Sequence, residues 1–186
     1  MRLNFRTRLP CPAYKLLRHA RRGAFLSYLS APIVTLGDDD HPFPDWINFE
    51  DYNVGMSVFG IPIGTHWIRF SALNSDGSER VQAGVDPIDV FTEDFDGNDG
   101  GMHILASTGD GHMIRGRILN LYSLYPISDN ECELVSTVDV KARGFRMILV
   151  WIFCTVYYRA RFAKIRRFVE NGFKVPEKFR RKSFAF

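Results

Sequence analysis

The feature that most constrains this chain is its last apolar stretch, residues 145–172, which carries no Pro and no Gly until Gly172. Leu149, Phe153, Val156, Ala160 and Ala163 recur at three- and four-residue steps, the spacing of one helical face. A second stripe runs through Trp151, Cys154, Tyr158, Phe162, Ile165 and Val169. Between Met147 and Tyr158 the segment is apolar almost all the way round, which predicts a helix covered on more than one side. Beyond Tyr158 it turns basic, with Arg159, Arg161, Lys164, Arg166 and Arg167. Cations suit the last turns of a helix, and Asn171-Gly172 with Pro176 beyond supplies a stop. A rod of about 27 residues at about 1.5 Å each would be about 40 Å long, enough to lie across a whole sheet.

The rest of the chain reads as that sheet. Leu3, Phe5, Thr7 and Leu9 alternate with polar residues until Pro10, a strand pattern. From Ala13 the period lengthens through Tyr14, Leu16, Leu17, Phe25, Tyr28 and Leu29, predicting one or two short helices broken near Gly23 and stopped at Pro32. Val54, Met56 and Val58 alternate before Gly60, and residues 66–73 are β-branched and aromatic. Weaker strands are expected near residues 80–85 and 88–92, then stronger ones at 102–108 and 112–124 around a Gly109-Asp110-Gly111 turn. After a turn at Ser128-Asp129-Asn130, Cys132, Leu134, Ser136, Val138 and Val140 alternate up to Gly144. Hairpin connections imply an antiparallel sheet with one covered face, and helices grouped at its two ends make the class α+β. Six to seven strands are expected in one domain, residues 1–172, with a basic, detachable tail at 173–186.

Charge and cysteine usage narrow the partners. The net charge of +3 conceals a division: residues 143–182 hold 12 Lys/Arg against Glu170 and Glu177, and the other 19 acids lie among the other 12 cations. A basic end of this kind, from Arg159 to Lys182, can meet a membrane surface or a partner. Base-stacking motifs and zinc spacings are missing, so nucleic acid is not an expected partner. Cys11, Cys132 and Cys154 show neither a disulfide framework nor a CxxC metal site. The N-terminus lacks the apolar run of a signal peptide, and the 12 residues from Met147 to Tyr158 are too few to span a bilayer. A cytoplasmic, soluble protein is expected.

Two motif regions resemble a known superfamily. Phe59-Gly60-Ile61-Pro62-Ile63-Gly64-Thr65-His66-Trp67-Ile68-Arg69 is similar to the FG-x-PLG-x-H-x-IR hairpin of bacterial polyketide cyclase-like proteins. Ser136-Thr137-Val138-Asp139-Val140, Gly144 and Tyr157-Tyr158-Arg159-Ala160-Arg161-Phe162 resemble their T-D-x-V-x…G…FYRxRxxRW ending. The element order likewise resembles the START-like, or helix-grip (SRPBCC), superfamily of polyketide cyclases and dehydratases, lipid-transfer domains and plant ligand carriers. The resemblance implies a curved antiparallel sheet gripping the C-terminal helix, with an apolar tunnel between. It implies a lid side formed by Leu149, Phe153, Val156 and Ala160. The floor would come from Val58, Ile68, Phe70, Ile104, Ile118, Tyr122, Leu134 and Val138. The competing expectation is that these side chains fill the space, since close packing is the rule in interiors.

Titratable groups are the next place to look. His66 shares a strand face with Ile68 and Phe70, and with Tyr122 it is the candidate to move a proton. Asp139 should face solvent beside Arg117 or Arg115, and Arg69 and Arg117 could receive an anionic head group. The acidic runs at Asp38-Asp39-Asp40-His41 and Asp94-Phe95-Asp96-Gly97-Asn98-Asp99-Gly100 miss the ligand spacing of a metal or calcium loop, so no metal and no cofactor is expected. The leading expectation is a carrier or sensor for a small hydrophobic or aromatic molecule. A cyclase or dehydratase is the enzymatic alternative, and a peripheral membrane or docking module is the third.

Overall fold

The computed structural model describes residues 1–37, 52–72, 102–109, 117–142 and 144–179, with Asn74 and Ser78; at 52–54, 63, 66, 70, 72, 102–109, 117 and 146 it describes the backbone path alone. The weak strands expected at 80–85 and 88–92, both acidic loops, residues 110–116 and residues 180–186 lie outside the described residues. Seven strands form one sheet: β1 (Arg2–Leu9), β2 (Val34–Leu36), β3 (Tyr52–Val58), β4 (Ile61–Ala72), β5 (Met102–Gly109), β6 (Arg117–Ser128) and β7 (Glu131–Lys141). Their spatial order is β1-β7-β6-β5-β4-β3-β2, antiparallel at every step. β2 is the strand that the sequence does not announce. It is three residues long, Val34-Thr35-Leu36, too short to show a period.

Helices α1 (Ala13–Ala20), α2 (Gly23–Ser30) and α3 (Arg146–Glu170) cover one face. α2 touches β2 at one edge, whereas α3 touches β1 and β7 at the other, and the two helices touch each other. Seven strands about 4.8 Å apart would put those edges about 29 Å apart in a flat sheet, wider than two packed helices. The sheet therefore curls toward the helices. Register shifts at Met56/Ser57 and Pro126/Ser128 are bulges, which bend a strand locally.

Local chemistry sets the breaks. The β3–β4 hairpin turns on Phe59 and Gly60, at φ 48° and 78°, a pair of left-handed positions that suits the twist of a two-residue hairpin. α3 ends where the sequence expects it. Gly172 N–H bonds to Val169 C=O and Phe173 N–H to Phe168 C=O, with Gly172 at φ 68°. The Phe168 and Phe173 rings meet edge to face at 5.4 Å, completing a glycine-terminated helix cap. Phe173 also stacks on His19 at 5.1 Å, and Phe179 meets Tyr28 at 5.6 Å. Phe173 and Phe179 thus pack on α1 and α2.

Alternation along β7 gives a clean two-faced strand. Cys132, Leu134, Ser136, Val138 and Val140 are buried, and their neighbours face outward. Each apolar side chain buried here removes about 1.5–3 kcal/mol worth of surface from water. On the outer face Asp139 pairs with Arg2 of β1 at 2.9 Å, while Arg115 and the side chain of Arg117, the partners that the sequence reading supposes, lie outside the described residues. Cys11 and Cys132, 121 residues apart, bring their buried sulfurs to 3.8 Å. Sequence spacing holds no sign of that meeting.

Candidate functional site

α3 turns most of its second stripe inward. Cys154, Tyr157, Tyr158, Arg161, Phe162, Ile165, Phe168 and Val169 are buried. Leu149 and Val156, assigned from sequence to the lid side, are 53% and 59% exposed, and Ala160 is exposed too. Phe153 is partly buried against the core. The correction is a matter of helix rotation. Phe5 of β1 meets Tyr158 and Phe162 at 5.9 and 5.8 Å, and those contacts fix the second apolar stripe inward. Nor is the segment from Met147 to Tyr158 covered all round: Ile148, Trp151 and Ile152 are exposed as well.

Of the residues expected in the floor, Ile68, Ile118, Tyr122, Leu134 and Val138 are buried, and Val58 is partly buried. Register places Phe70 opposite Ile104, and Ile104 opposite Tyr122, in one cross-strand row with Ser136 and Phe5. His66 lies opposite Thr108 and Val54, in the row of Ile118 and Val140. The other head-group candidates are Arg69, which is exposed, and Arg117, placed by register opposite Lys141.

A polar cluster sits where the two walls face each other. Asn120 and Tyr122 rise from β6, Ser136 from β7, and Arg161 descends from α3. The Ser136 hydroxyl donates to Asn120 Oδ1 at 2.7 Å. Arg161 is 6% exposed, and its guanidinium carbon lies 5.5, 5.4 and 5.8 Å from the ring centres of Tyr122, Tyr157 and Tyr158. It donates one long hydrogen bond, Nη1 to the Tyr157 hydroxyl at 3.4 Å. Arg161 Nε, Tyr122 Oη and Asn120 Nδ2 are buried without a hydrogen-bond partner. Among the described residues the ion pairs join Arg2 to Asp139 and Arg6 to Glu133, and no carboxylate reaches Arg161.

The electrostatics of this cluster run one way. Burial raises the Tyr122 phenol above its ordinary pKa and outweighs the lowering by Arg161; a nearby Asn120 amide also lowers it, without hydrogen-bond geometry. Burial raises the Tyr158 phenol further, with Tyr122 adding to it. Burial pushes the Cys154 thiol up to about 12. Burial is also the largest single influence on Arg161 and opposes its charge, but the three phenols together outweigh it and its pKa is raised. Near neutral pH the Tyr122 and Tyr158 phenols carry protons and offer the guanidinium ring faces rather than a counter-charge, and Tyr157 offers one hydroxyl. The arrangement is an array of donors around a buried cation. It can stabilise negative charge on an oxygen.

Sequence reasoning places Arg161 in the basic helix end, Arg159 to Lys182, that can meet a membrane surface or a partner. The signal that could have found it is its phase: it lies three residues after Tyr158, four after Tyr157 and four before Ile165, inside the buried stripe. Lys164 likewise turns away from solvent, donating from Nζ to the Tyr28, Leu29 and Ala31 carbonyls at the end of α2. Arg166 reaches Thr7 Oγ1 at 2.9 Å. Of the described part of the basic tract, Arg161 and Lys164 turn inward, whereas Arg159 and Arg167 are exposed.

No family model matches the chain, and no curated protein matches it in sequence. Among the described residues no helix is long and apolar enough to cross a membrane. Solved structures do match. The di-domain ARO/CYC BexL superposes with a TM-score of 0.55 at 11% identity, over 91% of this chain and 46% of that one, so this chain spans about half of it. An aromatase/cyclase from Streptomyces matches with a TM-score of 0.52 at 12% identity, over 91% of this chain and 95% of that one. A Thalictrum norcoclaurine synthase point mutant, complexed with a transition-state analogue, gives 0.51 at 9% identity, over 94% and 96%. Likeness at these identities is likeness of fold: a seven-stranded antiparallel sheet holding a long C-terminal helix, the START-like helix-grip fold.

Proposed function

We propose that this protein binds a small hydrophobic or aromatic molecule between the sheet and α3, as a carrier or sensor. One observation carries the reading. A packed core satisfies its polar groups, and here three polar atoms are buried unsatisfied, on Arg161 of α3 and on Asn120 and Tyr122 of β6, with the Arg161 guanidinium over the Tyr122 ring. An interior that were simply filled would leave that array as pure cost. An apolar wall with a few convergent polar groups is the usual composition of a small-molecule site. The aromatase/cyclase and the norcoclaurine synthase of similar fold support a molecule of aromatic character.

The enzymatic alternative, a cyclase or dehydratase, needs a base in the same interior. Tyr122, Tyr158 and Cys154 are held protonated and so donate rather than abstract. That alternative therefore rests on His66, with Tyr122 as the hydrogen-bond donor to a substrate oxygen. Binding is tested by native mass spectrometry of the purified protein, first as isolated and then with aromatic probes from naphthalene to a fused tetracycle. A one-to-one complex is the expected result. Failure to take up any probe, with only the bare chain mass as isolated, would remove the reading.

A further inference from the structure

Every unsatisfied group of the buried cluster is a donor or can act as one. Arg161 Nε can only donate, Asn120 Nδ2 can only donate, and the Tyr122 hydroxyl is free to do so. The acceptor side of Asn120 is already taken by the Ser136 hydroxyl. Tyr157 engages Nη1 of Arg161, which leaves the Nε edge of the guanidinium, the edge that with Nη2 grips a carboxylate side-on. The cation is nearly inaccessible, faces three neutral rings and meets no acid among the described residues. A buried, unpaired charge is among the least favourable groups a fold can carry, and removing its partner is strongly destabilising. Here the fold supplies donors from both walls and, among the described residues, no anion.

Resting on the binding reading above, we propose that Arg161, Asn120 and Tyr122 form a seat for one carboxylate of the bound molecule, and that the ligand class is a monocarboxylic acid with an aromatic or apolar body. The carboxylate accepts from Arg161 Nε, from the Asn120 amide and from the Tyr122 hydroxyl, and it supplies the missing counter-charge. The aromatic side chains Phe5, Tyr158 and Phe162 flank the seat and suit the body of the ligand. A cationic ligand would meet like charge, and a purely apolar one would leave all three donors orphaned.

A matched pair of probes separates the seat from the site. Naphthoate and naphthalenemethanol share a body and differ in the charged group. Wild-type protein should bind naphthoate about 10- to 100-fold more tightly by isothermal titration, the range of a charge-assisted hydrogen bond. Arg161→Met should bind both probes alike, at the affinity of the alcohol, and Tyr122→Phe should lower the preference several-fold. Arg161→Met without ligand should melt no lower than wild type, because it replaces an unpaired buried cation by an apolar chain of similar length. Equal binding of the two probes by wild type would overturn the carboxylate seat and leave the hydrophobic site standing. A preference that survives Arg161→Met would overturn it too, as would a large loss of melting temperature in that variant. Binding of neither probe would overturn the site and the seat together.

Discussion

The two halves of α3 contradict their compositions. The half before Tyr157 is nearly all apolar, yet Phe145, Ile148, Leu149, Trp151, Ile152 and Val156 are exposed. The half after it carries the cations, yet Tyr158, Phe162, Ile165, Phe168 and Val169 are buried. What seats the second half is what surrounds it. β1 presents Phe5 and Thr7 on one side, and α1 and α2 present His19 and Phe25 on the other. Composition says how much of a helix could be buried; neighbours decide how much is.

The largest expected break in that contrast lies at Phe168. It is 1% exposed and meets Phe25 at 4.5 Å and His19 at 5.1 Å. Phe168→Ala should cost about 3–5 kcal/mol, the range for emptying a buried aromatic site. Val156→Ala, a larger fraction of whose side chain faces solvent, should stay within about 0.5 kcal/mol. Chemical denaturation of the two variants beside wild type checks both. Comparable losses would mean that the helix is held along its whole length and that the contrast is wrong.

The same contrast explains what was legible in the sequence. Alternation along β1 and β7 and the stop at Asn171-Gly172 are local signals, set by the pleat and by one residue's φ, and the structure keeps them. Which side of α3 faces the sheet is not local. Where residues 147–158 are apolar all round, no phase is favoured, and Leu149 and Val156 were assigned inward from a stripe that tertiary contacts turned out. Arg161 was missed for the opposite reason: charge was read as surface, although its phase with Tyr158 and Ile165 places it inside. His66, read from its strand as a candidate proton carrier, is fixed by register to the row of Ile118 and Val140 and no further. The meeting of Cys11 with Cys132 depends on strand β7 reaching the end of β1, which no spacing announces.

Lys164 supplies an intermediate effect. Its ammonium closes the C-terminus of α2 by donating to the Tyr28 and Leu29 carbonyls at 2.9 and 3.4 Å and to Ala31. The last carbonyls of a helix have no partner within it. Lys164→Met keeps the stem and removes the donors, at an expected loss of about 1–3 kcal/mol. Faster amide exchange should be confined to α2 and its junction with α3. Unchanged exchange at α2 would show that solvent serves those carbonyls as well as the lysine does.

His19 should give the smallest effect, and its sign follows from its surroundings. It packs against the Phe168 and Phe173 rings, and burial, followed by Arg22 and Lys15, lowers its pKa below the ordinary value near 6.5. A base whose folded pKa is depressed binds its proton more weakly folded than unfolded, so stability rises with pH across the window between the two values. The neutral imidazole therefore contributes its full share above about pH 6.5 and loses it as pH falls through the lower, folded pKa. Solvent screening of this partly exposed ring holds the change to less than about 1 kcal/mol. His19→Phe should keep the ring contacts and flatten the acid side of the stability profile, measured by denaturation between neutral pH and the onset of acid unfolding. A profile as steep in the variant as in wild type would move the titrating group elsewhere, away from the contacts that seat the basic half of α3.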